Sequence, residues 1–404
     1  MPHPALAKRS AAELEQTLQQ LFGSQARTEA LAGPDFMGRR IHGVDLQKPL
    51  SAPQAQFMVT LLDHFSIISF PDQGTDTFRL SYLERLANHF GAPIPHPTNY
   101  SNYLEHKKTG VPLELQPLER QAASLCDQAF PNDIKCVDGA HSPAVLVVSN
   151  LPGSGPNQQE QFNCSLHWHT DIEFEPEPLS TSMFYVQRAP LTRRSDTGNW
   201  IKDVPPGEGF YHRESSAVLT ERRLAMPLNG ETAYADTVRA FADLPAQQQA
   251  ELERTMVRRR VRKTDAGWLL PLIYVNPRTG TKSLHSPIWA SRGKNIAPVE
   301  VDGMNDRDSR LFLDELEAHV LQPKYRYDHA HRAGDVTIWS NFSTLHNAPP
   351  SKSVISSPDD ARLMYRISSK GEPCDSLPRQ DSDAWIEANI SPAYRTPHSQ
   401  VAGS

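Results

Sequence analysis

Apolar residues recur along this chain with two different periods, and each period predicts a different element. Behind Ser10 and Glu13, Leu14, Leu18, Leu21 and Phe22 fall on one helical face, and the Ser-x-x-Glu spacing is a capping box. Ser51 with Gln54 opens a second helix that carries Phe57, Leu61 and Leu62 inward, and Ser81 with Glu84 opens a third through Leu83, Leu86 and Phe90, which Gly91 is placed to end. Short runs rich in β-branched and aromatic residues predict a strand and turn over 40–46 and strands at 66–70, 144–148 and 183–186, and later at 270–275, 335–339 and 362–367. Helical spacing predicts helices over 231–242, 245–259 and 307–321. Many short strands beside a few helices imply an α+β fold, mainly β, in which one sandwich or barrel carries a helical cover.

Two stretches fit neither period. Residues 101–141 and 191–228 read as irregular insertions flanking the strand that ends in Leu166-His167-Trp168-His169-Thr170-Asp171. The expected organisation is a helical N-terminal extension over 1–30, a single domain over 31–370 holding both insertions, and a tail over 371–404.

Composition narrows the classes. The chain has 404 residues, a formal net charge of −6 and 34 prolines, which suits a soluble, loop-rich protein and gives no basic footprint for nucleic acid. Its four cysteines form no Cys-x-x-Cys pair, so a disulfide framework or zinc knuckle is not expected and a reducing cytoplasm is. No apolar run reaches the length of a membrane span. The expected partner is a small molecule, with homo-oligomer formation left open.

The chemistry gathers at His169 and Asp171. In a strand, residues i and i+2 point to one side, so an imidazole and a carboxylate aim at a common point. They make two thirds of a facial triad, in which two histidines and one carboxylate hold Fe(II) and leave positions open. His346, which follows the strand ending in Trp339-Ser340-Asn341, is the best third ligand. Arg366 lies inside the apolar strand Leu363-Met364-Tyr365-Arg366-Ile367, where an arginine needs a partner and its planar fork suits a carboxylate. Arg362 reads as the solvated start of that strand.

These motifs, in this order, resemble the taurine dioxygenase (TauD/TfdA) family of Fe(II)/2-oxoglutarate-dependent oxygenases. The resemblance also rests on Ile41-His42-Gly43-Val44-Asp45-Leu46, Phe70-Pro71-Asp72-Gln73, Phe90-Gly91 and Gly230-Glu231-Thr232. It implies a double-stranded β-helix (jelly-roll) core. It further implies iron at His169, Asp171 and His346, with 2-oxoglutarate and O2 as co-substrates. By the same resemblance Thr232 bonds the C1 carboxylate of 2-oxoglutarate and Arg366 clamps its distal carboxylate. Thr197 is a rival for the threonine, and Thr232 is preferred because Ala233-Tyr234-Ala235-Asp236 continue the match.

His96 stands where the family touches the anionic group of its substrate, Asn99 replaces a family tyrosine with Tyr100 next to it, and Phe174 is a candidate pocket wall. Trp339-Ser340-Asn341-Phe342 replaces the family's Trp-Asp-Asn-Arg. With Asp171 present, the expected outcome on a small organic anion is hydroxylation, or hydroxylation followed by loss of a leaving group, and not halogenation, with desaturation left open. The competing class is a catalytically silent protein that binds 2-oxoglutarate or a metabolite in the same pocket.

Overall fold

The structure is a computed structural model. It describes residues 10–33, 36–95, 108–109, 144–151, 162–171, 179–191, 215–227, 230–260, 266–285, 299–352, 355 and 357–371. The expectations for His96, Asn99, Tyr100, Phe174 and Thr197, and most of those for the two insertions and the tail, lie outside these residues.

Two of the capping boxes form as expected. The Ser10 and Glu13 side chains bond each other's backbone N–H at the start of α1 (Ala11–Phe22), and Ser51 and Gln54 do the same for α2 (Ala52–Phe65). The third does not. Helix α3 (Leu80–Asn88) starts one residue before Ser81, and Glu84 is buried instead of reaching back to a cap.

The helices cover one face of an eight-stranded sheet. Its order is β1 (Arg27–Ala30), β2 (Arg39–His42), β3 (Ile67–Phe70), β15 (Val336–Ser340), β7 (Leu179–Arg188), β17 (Leu363–Lys370) and β4 (Ala92–Ile94), with β5 (Leu146–Ser149) also paired to β17. Alternation along β7, β15 and β17 turns Met183, Tyr185, Ile338, Tyr365 and Ile367 toward α1, α2 and α3. Leu14 and Leu18 of α1 join the same core.

A second sheet of four strands has the order β14 (Arg326–His329), β8 (Thr232–Asp236), β16 (Thr344–Lys352), β6 (Phe162–His169). Its outer face packs Trp168, Ala233, Ala235 and Leu345 against α4 (Ala217–Leu224), α5 (Thr237–Ala242) and α7 (Asp306–Val320). Phe184, Val186, Met364 and Trp339 from the large sheet meet Tyr234 from the small one in a third cluster. The fold is thus α+β, with a mixed polar and apolar interior between two sheets.

Four expectations change. The segment 231–242 is a strand before it is a helix, because β8 pairs with β14 on one side and β16 on the other, and this tertiary pairing overrides the helix preference of its alanines. Asp236 then caps α5 by accepting from Val238 and Arg239 N–H. The segment 245–259 splits into α6 (Ala246–Leu252) and β9 (Met256–Arg259), which is held between β10 (Trp268–Pro271) and β13 (Glu300–Val301). The strand expected over 270–275 breaks at Leu272, where β10 gives way to β11 (Ile273–Val275), paired with β12 (Lys282–Leu284). Within 191–228, residues 217–224 are helical, and buried Leu219 and Leu224 explain why. Among the described residues, no helix is long and apolar enough to cross a membrane.

Candidate metal centre

Strand pairing brings the distant ligands together. β6 and β16 run antiparallel with His169 opposite His346, and on its other side His346 faces Tyr234 of β8. Residues directly opposite share a face, so both imidazoles enter the space between the sheets, and their ring centroids stand 4.3 Å apart. Asp171 follows the end of β6, and its Oδ1 lies 3.9 Å from His169 Nε2 and 3.6 Å from His346 Nε2. One ligand atom from each of the three lies within 4.8 Å of the others, and Asp171 and His346 are buried. Adjacent ligands of an octahedral ion bound at ~2.1 Å stand ~3.0 Å apart, so small side-chain rotations close this set on a divalent cation. Among the described residues no other such group of histidine, cysteine and carboxylate side chains occurs.

A hydrogen-bonded chain holds the carboxylate. Ser182 Oγ donates to Asp171 Oδ2 at 2.6 Å, Asn341 Nδ2 donates to Ser182 Oγ at 3.0 Å, and the Trp339 indole N–H donates to Asn341 Oδ1 at 3.2 Å. Ser182 and Ser368 share a further hydrogen bond of 2.8 Å. Arg366 sits against Asp171 Oδ2, and its Nε donates to Ser368 at 3.3 Å. Burial is the strongest influence on the Asp171 carboxyl and would raise its pKa. The charges of Arg366, His346 and His169 outweigh it and hold the carboxyl well below the usual range. A site that keeps its carboxylate ionised while buried suits a cation.

Arg366 therefore stands beside a metal ligand, not at a distance from it. Arg362, expected as a solvated strand start, is only 7% exposed, and its Nε contacts Met364 Sδ at 3.1 Å. It precedes β17, and its contact is with Met364, which shares the inner face of that strand with Arg366 at an even offset. Thr232 is buried on β8, with its Oγ1 2.7 Å from His331 Nε2, two residues before Tyr234 on the same face. The Tyr234 hydroxyl is buried near Thr232, and burial, then the neighbouring Tyr327, pushes it well above the ordinary phenol range. The structure thus gathers His169, Asp171, His346 and Arg366 at one point and sets Thr232 further along the interior.

Ser182, Asn341, Ser368 and His331 were not legible from motif spacing. Their roles depend on strand register, and only the Trp339-Ser340-Asn341 run carried a sequence signal.

Two relatives are similar to this chain in sequence and one solved structure in fold. Pentalenolactone F synthase of Streptomyces arenae is 28% identical over 216 residues, covering 52% of this chain and 65% of that protein. The alpha-ketoglutarate-dependent 2,4-dichlorophenoxyacetate dioxygenase of Burkholderia sp. (strain RASC) is 26% identical over 162 residues, covering 34% of this chain and 51% of that protein. The matches therefore span about half to two thirds of these relatives. A taurine dioxygenase from Burkholderia xenovorans has a similar fold, with a TM-score of 0.50, 19% identity, and coverage of 86% of this chain and 92% of that one. A family model described as taurine catabolism dioxygenase TauD, TfdA family matches residues 27–368, and the chain belongs to that family.

Proposed function

We propose that this protein is an Fe(II)/2-oxoglutarate-dependent dioxygenase that hydroxylates a small organic anion, with the two facing sheets serving as the halves of a double-stranded β-helix. The observation that carries this reading is the clustering of His169, Asp171 and His346, with a guanidinium directly beside the carboxylate. His169, Asp171 and His346 would hold Fe(II), and iron with bound 2-oxoglutarate supplies the means to activate O2 and oxidise an unactivated C–H bond. Family membership supports the cofactor set, and the name of the 2,4-dichlorophenoxyacetate relative supports an anionic substrate. A reducing cytoplasm, where Fe(II) persists, belongs to the same reading.

The chain's own residues divide the remaining work. Ser182 and Asn341 fix the Asp171 carboxylate in one orientation. Arg366, placed at Asp171, is assigned to the metal-chelating end of 2-oxoglutarate and not to the distal carboxylate. That distal role passes to Arg362, which is buried beside Met364 just ahead of β17, and with it moves Thr232, which the resemblance had put at the C1 carboxylate. The sheets exclude water around them, which strengthens each charged hydrogen bond.

The test begins under argon, with Fe(II) and 2-oxoglutarate added and their charge-transfer absorption followed. Air is then admitted, and succinate is measured against sulfonates, amino acids, carboxylates and aryloxyacids. The reading expects an absorption band that His169→Ala abolishes, and succinate release that one substrate class stimulates. A protein with neither band nor succinate is not a dioxygenase; one with the band but no stimulated turnover is the silent binding protein. Arg362→Met is expected to raise the KM for 2-oxoglutarate at least tenfold while Fe(II) affinity holds. An unchanged KM would return the distal clamp to Arg366.

A further inference from the structure

Thr232 has a single proton to give. A hydroxyl carries one O–H donor and two acceptor lone pairs, whereas an ionised carboxylate only accepts. Thr232 can therefore serve a carboxylate of 2-oxoglutarate only by donating. Whatever else bonds its oxygen decides whether that proton is available.

The residue in that place is His331. Thr232 Oγ1 and His331 Nε2 stand 2.7 Å apart, and the two residues are 3% and 2% exposed. The Tyr234 hydroxyl is another neighbour of Thr232. Imidazole nitrogens differ in kind, since a nitrogen that carries a proton donates and a bare one accepts. A bare Nε2 would draw the threonine proton onto itself and turn a lone pair toward the carboxylate, which repels it. A protonated Nε2 donates to Oγ1 and leaves the threonine proton to point elsewhere.

The surroundings fix the His331 ring. It lies two residues beyond β14 and packs edge-on with Phe184, at 5.7 Å and 88°, and with His329, at 4.7 Å and 83°. His329 is itself held between the Tyr327 hydroxyl at 2.8 Å and Thr337 Oγ1 at 3.2 Å. In the turn that follows, Arg332 N–H donates to Asp335 at 3.3 Å and Gly334 N–H to the Val186 carbonyl at 2.8 Å. A ring locked in this way orients its partner without first having to be ordered.

The spacing suits the co-substrate. Thr232 precedes Tyr234 by two residues, about 7 Å along β8, and Tyr234 pairs with the ligand His346. A five-carbon dicarboxylate that chelates a metal at one end can reach that far with the other.

We propose that His331 is a positioning residue for 2-oxoglutarate: its Nε2–H donates to Thr232 Oγ1 and so commits the threonine proton to the distal carboxylate. This rests on the dioxygenase reading, in which Thr232 serves that carboxylate.

The test measures binding, not turnover. The full chain, saturated with Fe(II) under argon, is titrated with 2-oxoglutarate by calorimetry. His331→Leu is expected to weaken binding about tenfold, the value of one hydrogen bond to a charged group. In a Thr232→Val background the same substitution is expected to change affinity by less than about twofold, because the hydroxyl it orients is gone. Equal losses in both backgrounds, or none in either, overturn the inference. If the leucine variant fails to fold, two polar variants decide. His331→Gln carries an amide to where Nε2 stands and is expected to keep most of the affinity, whereas His331→Asn stops short and is expected to lose it; equal affinity in the two overturns the inference. Nitrogen NMR of histidine-labelled protein with Zn(II) and 2-oxoglutarate bound, assigned through His331→Gln, is expected to show His331 Nε2 protonated, and a bare Nε2 overturns the inference. A parent chain that binds no 2-oxoglutarate overturns the dioxygenase reading and this inference with it, whereas a parent that binds it as tightly as His331→Leu does overturns this inference alone.

Discussion

Asp171 is positioned by residues that make no claim to the metal themselves. Its Oδ2 receives Ser182 Oγ at 2.6 Å, and Asn341 in turn orients that hydroxyl. Removing such an outer partner typically weakens metal affinity 10–100-fold, because the ligand carboxylate then samples orientations that do not bind. Ser182→Ala is therefore expected to weaken Fe(II) binding by about that factor, read by anaerobic titration, with Ser182→Thr largely preserving it. Equal affinity in the Ala variant would mean that Arg366 alone fixes the carboxylate. The two levels differ in how far the sequence discloses them. His169 and Asp171 stand out through the i, i+2 rule, which needs only local geometry, and His346 and Arg366 through strand context and family resemblance. Ser182 is one of many serines until β7 is seen to lie beside β15 and β17. Arg362 was misjudged for a related reason: its place at a strand start suggests solvent, whereas Asn150 holds its backbone and its side chain lies against Met364 in the interior.

Helices were legible where a cap announces them, and strands were lost where a helix-forming composition hides them. Ser10 with Glu13 and Ser51 with Gln54 are chemical signals carried by four consecutive residues, so α1 and α2 emerge with their starts correct. Thr232–Asp236 has no such signal; two alanines and a following cap favour helix until the two neighbouring strands are present. The link between α4 and α7 could not be foreseen at all. Arg223 and Glu317 lie 94 residues apart, both are fully buried, and they make a bidentate pair with Asp314 and Ser215 as additional acceptors of the guanidinium. Breaking a buried pair from one side costs ~3–5 kcal/mol, mostly because the remaining charge is stranded. Arg223→Met is expected to lower stability to urea by less than that, because Arg310 still stands 3.6 Å from Glu317 Oε2. Arg223→Met with Glu317→Leu should recover most of the loss, and a double variant no more stable than the single one would show that the pair contributes more than its own burial costs.

The layering of helices, large sheet, small sheet and helices leaves an interior that is unusually polar for a protein core, and this sets how the whole molecule responds to pH. Buried groups of opposite type pull in opposite directions. Burial raises the carboxyl pKa of Asp236, Asp328 and Asp335, so each is easier to accommodate when protonated and favours the folded state as pH falls toward the acid range. His285 does the reverse, since burial and then Arg259 lower its pKa well below the ordinary ~6.5. Below ~6.5 the unfolded chain takes up a proton at this residue that the folded chain refuses, so stability falls with pH in that window and is insensitive to His285 above it. A single such group contributes at most about 1.4 kcal/mol per pH unit. Comparison with His285→Gln cancels the carboxyl contributions, which both proteins share. Urea unfolding from about pH 8 to about pH 5 should give curves that run parallel above ~6.5 and converge below it, as the parent loses the advantage of a neutral imidazole. Curves that stay parallel across the whole range would show that His285 binds its proton equally in both states, and that the interior behind the large sheet is wetter than its walls imply.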